Sequence, residues 1–486
     1  MKQIILLLLH KNYLQAERLI RYFDGQCPIY IHVDKKSHLT VDLKKLSSLP
    51  GVKGVYSRYK VHWAGYSILK AEIFLMKIAL TENNIGFFHL LSGQDYPLKP
   101  LNSFLAFFNS CNQVGFIQCA HTPNPATDDN TFMRLQHYIL SDYIDTKSDA
   151  GKTKVWNLVN WQKRHGIKRR IPDQLEHLYN GSAWFSLRHD VINMILEYTN
   201  KHPSFYRRLR FTYVPEETYI ASVVLNSSFR NSISHQNDCR AIIWNKPGID
   251  CSPVNITTKN FKQLFNNPID FFARKFDYPD SLEVMDIIDR YMLYPKQYDK
   301  TQTANLNDFN YDSGLCDAIR RLCNSLRLTS VCDFGCGPGW YVACLRDKGV
   351  SAIGYDINPH TSELSVLMCG GRDENCCATA DLSESVDAGC RFDLVMALSV
   401  GEFIQPEREA VFIDNLRRHT AKYLIVSWND RADDPSVVNP QPQSRIIERI
   451  CGPDREFCYN EVATSMLREA SSLKIHKKYL MVFQRI

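Results

Sequence analysis

The sequence predicts an α/β protein built as two units, each a largely parallel sheet flanked by helices. Three observations lead there. Short apolar runs alternate with amphipathic helical spacing through the first 130 residues, the pattern of strand–helix repeats. A glycine-rich run, Asp333-Phe334-Gly335-Cys336-Gly337-Pro338-Gly339, follows a short apolar strand two-thirds of the way along. The two parts also differ in sign: residues 1–300 hold 38 Lys+Arg against 27 Asp+Glu, a balance of +11, and residues 301–486 hold 20 against 25, a balance of −5. A length of 486 residues accommodates two or three domains, each with its own core. The boundary falls in a polar connector, giving units 1–295 and 306–486 with a linker at 296–305.

In the first unit, strands are expected at residues 4–9, 29–32, 52–56, 87–91 and 115–118, and helices at 13–22 and 67–79. Ligands of such sheets sit at the carboxyl ends of strands. Asp34 and the run Ser92-Gly93-Gln94-Asp95 occupy two of those ends. The opening apolar run, Ile4 to Leu9, is only six residues, too short for a signal-peptide core or a membrane span. No other stretch approaches the ~18 apolar residues of a spanning helix. The 16 cysteines are scattered without zinc-knuckle spacing and read as free thiols of a reducing compartment. The expected location is therefore cytoplasmic.

Between Ala150 and Pro172 the chain has seven Lys/Arg and no acid, with Trp156 and Trp161 interleaved. Two readings are open: a solvated basic loop, or a flap (152–170) contacting an anionic acceptor or the inner face of a membrane. No nucleic-acid reader motif accompanies it.

Six patterns in the first unit have the shape of a site. They are His32-Val33-Asp34-Lys35-Lys36, His62-Trp63-Ala64-Gly65-Tyr66-Ser67, Leu91-Ser92-Gly93-Gln94-Asp95-Tyr96-Pro97, Gly181-Ser182-Ala183-Trp184-Phe185, Val214-Pro215-Glu216-Glu217 and Phe272-Ala273-Arg274-Lys275-Phe276. Acids after Pro215 at a helix start serve either as dipole-favoured first-turn residues or as a catalytic base. None of the 19 Asp of residues 1–300 is two positions from another, so the Asp-x-Asp pair that often holds a divalent metal on a nucleotide diphosphate is absent. A leaving diphosphate then needs cationic side chains; Arg274-Lys275 is either that clamp or a surface basic pair.

Together these motifs, over residues 1–277, resemble the Core-2/I-branching glycosyltransferases, a family that includes the peptide O-xylosyltransferases. The resemblance implies a GT-A-like fold and metal-independent, inverting transfer from a UDP-sugar. It implies that Glu217 is the base that deprotonates the acceptor hydroxyl, that Asp34 binds the uridine part, that Lys275 binds the diphosphate and that Trp244 borders the acceptor. A second diphosphate-binding arginine of the animal enzymes has no counterpart near Ser252, and Arg274 or Arg240 is the replacement to consider.

In the second unit, the strand at 330–333 runs into Gly335, Gly337 and Gly339, then a helix at 340–348, and the next strand, 352–355, ends in Asp356. An acid at that distance reaches the ribose hydroxyls of a nucleoside. Asp381 and the strand 392–397 follow in order. The set resembles class I S-adenosylmethionine-dependent methyltransferases over 305–486, a Rossmann-like fold. The resemblance implies that Asp333 and the Gly335–Gly339 loop lie against the cofactor's methionine part, Asp356 at its ribose and Asp381 near its adenine. Glu402 reads either as a general base for a hydroxyl or as a solvated residue at a helix start. The irregular stretch 427–442 is a lid or a plain loop.

The expected activity is transfer of GlcNAc or xylose to a hydroxyl of a glycan or lipid-linked glycan, with a fused methyltransferase that either acts on the product or only binds its cofactor. S-adenosylmethionine and a UDP-sugar are the expected small molecules, and no metal is expected for glycosyl transfer.

Overall fold

The structure is a computed structural model that describes residues 1–121, 134–170, 177–246, 252–265, 267, 269–294, 311–370, 376–434 and 437–486. The chain divides into two compact units, Met1–Thr257 with Gln263–Met285, and Thr258–Lys262 with Asp286–Ile486. The linker expected at 296–305 lies outside the described residues.

The first unit is built on strands β1 (Lys2–Leu9), β2 (Ile29–Val33), β3 (Val52–Tyr56), β4 (Ile85–Ser92), β5 (Asp95–Pro97), β6 (Gly115–His121), β7 (Tyr179–Arg188), β8 (Ile233–Ser234), β9 (Arg240–Ile242) and β10 (Phe272–Arg274). Its main sheet has the order β3-β2-β1-β4-β7-β6-β8. The continuous apolar runs of β1 and β4 are buried because β1 pairs parallel with both β2 and β4 at the centre of the sheet, where both faces are covered. Helix Tyr66–Ala79 lays Leu69, Ile73 and Met76 onto that core. Each such fully buried side chain contributes roughly 1.5–3 kcal/mol.

Four of the six strand pairings are parallel, as expected of a largely parallel sheet. β7 runs antiparallel to both β4 and β6, so the sheet is mixed. β7 carries the Gly181–Phe185 motif, whose small and polar residues do not read as a strand. A second sheet, β5-β10-β9, brings Asp95, Arg240 and Arg274 side by side.

The second unit contains β11 (Ser330–Phe334), β12 (Ser351–Asp356), β13 (Cys377–Thr379), β14 (Phe392–Leu398), β15 (Thr420–Ser427), β16 (Phe457–Tyr459) and β17 (Leu480–Arg485). Their order is β13-β12-β11-β14-β15-β17-β16, parallel except for β17, which is antiparallel to β15 and β16. In both units the strand order reverses beside the first strand, between β1 and β4 and between β11 and β14. Such switch points open a crevice at the strands' carboxyl ends.

All 15 cysteines among the described residues are free. Among the described residues, no helix is long and apolar enough to cross a membrane.

Candidate active sites

The first site forms where helix Pro215–Leu225 begins. Pro215 occupies the first turn, where its missing N–H costs nothing, and Glu216 and Glu217 follow in the same turn. The chain enters this helix through Val214 at φ 44, whose N–H donates to the carbonyl of Ala64, itself at φ 58. A β-branched residue in the left-handed region is strained by about 1–3 kcal/mol, and such strain clusters at functional positions. Just beyond Ala64, Gly65 leaves room for Asp142: a Cβ there would lie 2.2 Å from Asp142 Oδ1. That carboxylate accepts hydrogen bonds from the Ser67 hydroxyl at 2.6 Å and the Ser67 N–H at 3.2 Å.

Glu217 keeps 30% of its side chain exposed, and its Oε2 accepts a hydrogen bond from Arg134 Nη1 at 3.2 Å. Burial pushes the Glu217 carboxyl up, and the Arg134 charge and hydrogen bond pull against it. Glu216 is fully enclosed and is pushed up to about 8 by burial, then by Glu217. Glu72, buried on helix Tyr66–Ala79, is raised by burial and by Glu216. The Oε2 atoms of Glu72 and Glu216 are buried without hydrogen-bond partners, which favours the protonated form of both. Glu217 is the member of the trio with solvent access and a cationic partner. An Arg134→Ala variant removes the charge and hydrogen bond that lower the Glu217 pKa. The acidic limb of the pH–rate profile for sugar transfer should then move to higher pH; an unmoved limb would separate Arg134 from the titrating group.

The ends of β1 and β10 gather cations. Lys147 is held below the usual lysine range by burial, then by Lys11, with Lys36 and Arg274 adding to it. Lys275 is lowered by burial, then by Lys11, with Arg274 and Lys147 contributing. His10 is pushed down to about 4 by burial, then by Lys147, Lys11 and Arg274. Asp277 partly offsets this, accepting from Lys11 at 2.5 Å and Asn12 at 2.9 Å. Half-buried cations that repel one another are relieved by a bound anion.

Arg274 stands differently from Lys275. Its guanidinium donates to Ser92 Oγ at 2.5 Å, pairs with Asp95 at 3.5 Å and lies 4.3 Å from the Trp184 ring centroid. Arg240 pairs with Asp95 at 2.8 Å, donates to the Leu90 carbonyl at 3.0 Å and also sits over Trp184. Buried Asp95 thus fixes both arginines at the end of β4, so neither is a free charge. Asp34 caps its own turn, its Oδ1 accepting from Lys36 N at 3.0 Å and Val61 N at 2.9 Å. Its Oδ2 lies 4.0 Å from Lys36 Nζ. Trp244 is 37% exposed and lines a cavity of about 320 Å³ with Gln118, Arg240 and Asp270, whose lining includes neither Glu217 nor Asp34.

The basic stretch read as a loop or flap is, for most of its length, helix Asp149–Arg164, with Val155 and Val159 packed on Ile139. Arg169 is buried, donating to the carbonyls of His137, Phe211 and Arg208. It therefore braces the fold and drops out of any surface patch. Residues 171 and 172 lie outside the described residues.

The second site lies at the ends of β11 and β14. Gly335, Gly337 and Gly339 all take positive φ, at 80, 51 and 80 degrees, which glycine adopts without steric cost. A Cβ on Gly335 would meet Val400 Cγ2 at 2.2 Å. Gly337 N–H donates to Asp356 Oδ2 at 2.7 Å, tying the loop to the next strand. Asp333 is buried and pushed up to about 7 by burial, then by Asp356. Asp381 Oδ1 accepts from Ser383 N at 2.9 Å and Ser383 Oγ at 2.7 Å. A cavity of about 850 Å³ brings together Asp333, Gly335, Gly337, Asp356 and Asp381. Gly339 is not among its lining residues and instead allows close packing, since a Cβ there would lie 2.9 Å from Cys377 Sγ. The cavity lining contains five carboxylates and neither Lys nor Arg. That donor set fits a cofactor carrying sulfonium and ammonium charges.

The solvated reading of Glu402 is overturned: the residue is 1% exposed and lines the same cavity. The stretch 427–442 contributes Asn429, Asp434 and Val437 to its wall.

Residues 6–265 match the family model described as Core-2/I-Branching enzyme, and residues 308–433 match the one described as Methyltransferase domain. The chain is 27% identical over 286 residues to Xylosyltransferase 1 of Rattus norvegicus, covering 54% of this chain and 32% of that protein. It is 27% identical over 296 residues to Xylosyltransferase 2 of Mus musculus, covering 57% and 32%. The chain thus spans about a third of the length of these curated relatives. Among solved structures it is similar to a magnesium protoporphyrin IX methyltransferase from Synechocystis PCC 6803 with bound SAH, at 19% identity and a TM-score of 0.28, covering 35% of this chain and 82% of that one. It is also similar to a sugar N-methyltransferase from Streptoalloteichus sp ATCC 53650, at 14% identity and a TM-score of 0.28, covering 36% and 87%. With its first unit matched over more than half of the whole sequence, and a methyltransferase domain behind it, the chain belongs to the Core-2/I-branching enzyme family.

Proposed function

We propose that the first unit transfers a sugar from a UDP-sugar to an acceptor hydroxyl, with inversion and without a metal, and that the second unit methylates the glycan product. The observation that carries the reading is the cluster of Lys11, Lys147 and Lys275, with His10, at the carboxyl ends of β1 and β10. Those side chains receive the negative charge that grows on the departing diphosphate. An anion entering among Lys275 and Lys147 offsets the burial and mutual repulsion that hold both below the usual lysine range.

Glu217 takes the acceptor's proton at Oε2 or Oε1 while the acceptor oxygen attacks the anomeric carbon from the face opposite UDP. Arg134 holds the carboxylate in one orientation before the reaction. Glu72 and Glu216 form the buried floor behind it. Asp34, fixed by Val61 N–H, closes the uridine end. The similarity to xylosyltransferases supports UDP-xylose beside UDP-GlcNAc as a donor.

In the second unit, Asp333, Asp356, Asp381 and the glycine loop would hold S-adenosylmethionine, which supplies an electrophilic methyl group when bound. Asp356 already orients the loop through Gly337 N–H.

Coupling is tested by incubating the chain with labelled UDP-xylose or UDP-GlcNAc, a glycan acceptor and methyl-labelled S-adenosylmethionine. Methyl label should appear on the glycosylated product and not on the bare acceptor. Equal labelling of both would break the coupling, and sugar transfer with no methyl label would leave the second unit as a cofactor-binding module.

A further inference from the structure

Two acids of the methyltransferase cavity, Glu402 and Asp434, have no part in the cofactor binding described above, and Glu402 is the buried one. Glu402 sits in the short 3-10 turn Gly401–Phe403, just after β14. Its backbone carbonyl is occupied, accepting from Val438 N at 2.9 Å and Asn439 N at 3.0 Å. Ser399, at φ 55, redirects the chain between β14 and this turn, its N–H donating to Ser427 Oγ at 2.8 Å. The Glu402 side chain is buried, and its Oε2 has no hydrogen-bond partner although it lies in a residue that lines the cavity. An orphaned buried carboxylate oxygen is destabilising, a cost removed when a ligand donates a proton or hydrogen bond to it.

Resting on the methyltransferase reading above, we infer that Glu402 Oε2 is the general base of the second unit and that the methyl acceptor is a hydroxyl of an uncharged sugar. A hydroxyl must lose its proton during methyl transfer, so it needs a base in place; an amine can shed its proton to water before binding. The acid-rich lining disfavours an anionic acceptor. Asp434, Asp333, Asp356 and Asp381 share the lining with Glu402, His476 is the single basic residue in it, and no Lys or Arg contributes. Phe403, 52% exposed beside the base, offers an apolar ring face of the kind against which a sugar packs.

The step balances simply. The acceptor O–H bond breaks and its proton passes to Glu402 Oε2. The acceptor oxygen forms the new bond to the methyl carbon, and the electron pair of the broken S–C bond stays on sulfur. Burial pushes Glu402 up to about 7, against hydrogen bonds from its own backbone, from Asn429 and from Ser399. Wild-type methylation should therefore rise with pH and level off above about 7.

The test compares wild type with Glu402→Gln, using methyl β-xyloside and N-acetylglucosamine as neutral probes, glucuronic acid as the anionic one and glucosamine as the amine. Calorimetry with S-adenosylhomocysteine comes first. Wild type and variant should bind it equally; failure of the wild type to bind sinks the cofactor reading itself, a separate outcome. With the loaded protein, the neutral sugars should bind and glucuronic acid should not. Methyl transfer to the neutral sugar should fall by ~10²–10⁴ in the variant, the usual range for loss of a general base. In [13C]glutamate-labelled protein, a carboxyl resonance titrating near neutral pH should vanish in the variant. Unchanged transfer in the variant, absence of neutral-sugar binding, preference for glucuronic acid, or methylation of glucosamine nitrogen alone would each overturn the inference.

Discussion

A Glu217→Gln variant should lose sugar transfer by ~10²–10⁴ in kcat, the loss expected when a general base is removed, and should keep its affinity for UDP. Gln is close in shape to Glu, so the first turn of helix Pro215–Leu225 and its entry through Val214 stay in place. What changes is the ability to take a proton. Arg134 loses its ionic partner, but 24% of its side chain is already exposed, so water replaces the lost contact at small cost. In the proposed mechanism UDP is held by Lys11, Lys147 and Lys275, which the substitution does not touch. Initial rates of UDP release with a saturating acceptor, set beside calorimetric UDP affinity, separate the two effects. A variant that keeps its rate would remove Glu217 from the mechanism. One that loses rate and UDP binding together would point to a structural role.

The second large effect is on stability. Asp312→Ala should destabilise the second unit by about 3 kcal/mol or more, because several buried donors are left without an acceptor at about 1–3 kcal/mol each. That lowers its melting temperature on the order of 10 °C. Asp312 is fully buried and caps helix Ser313–Ser325 by accepting from Leu315 N at 2.9 Å. It also accepts from Ser472 N at 3.0 Å, Ser472 Oγ at 2.7 Å, Leu473 N at 2.9 Å and His476 Nδ1 at 3.2 Å. One carboxylate thus ties the start of helix Ser313–Ser325 to the last helix of the unit, which carries His476 into the cavity wall. Burial pushes the Asp312 carboxyl up, but the bonds from His476, Leu473 and Ser472 outweigh it and hold it well below the usual carboxylate range. A carboxyl lowered in the folded state contributes stability above its unfolded pKa and loses it as pH falls through the folded value. The gap between wild type and variant should therefore be full at neutral pH and narrow in strong acid, as read by melting curves across pH. A gap that widens in acid would contradict the assignment.

The elements that were legible in the sequence are those whose burial pattern is local. The opening apolar run is β1 because it lies at the centre of its sheet, and the glycine loop is recognisable because three positive φ angles in five residues require glycine. β7 was not legible, since Gly181, Ser182 and Ala183 satisfy a sheet through pairing with β4 and β6 and not through apolar alternation. At the first site, Glu217 stood out beside Pro215. Arg134 and Lys147 did not, because they reach the site from connecting segments far away in sequence. His10 and Lys11 could have been found by applying the strand-end rule to β1 as it was applied to Asp34. Glu402 looked like a solvated residue because burial at a turn after β14 depends on the 427–442 segment folding over it. That contact leaves no local periodicity.

The most direct test of metal-free inverting transfer is the anomeric configuration of the product formed in excess EDTA. UDP-xylose and UDP-GlcNAc carry the sugar in the α configuration. Proton NMR of the product should show a β linkage at a rate unchanged by EDTA. An α-linked product, or transfer that returns only when a divalent cation is added back, would contradict the roles given to Glu217 and to the Lys11, Lys147 and Lys275 cluster.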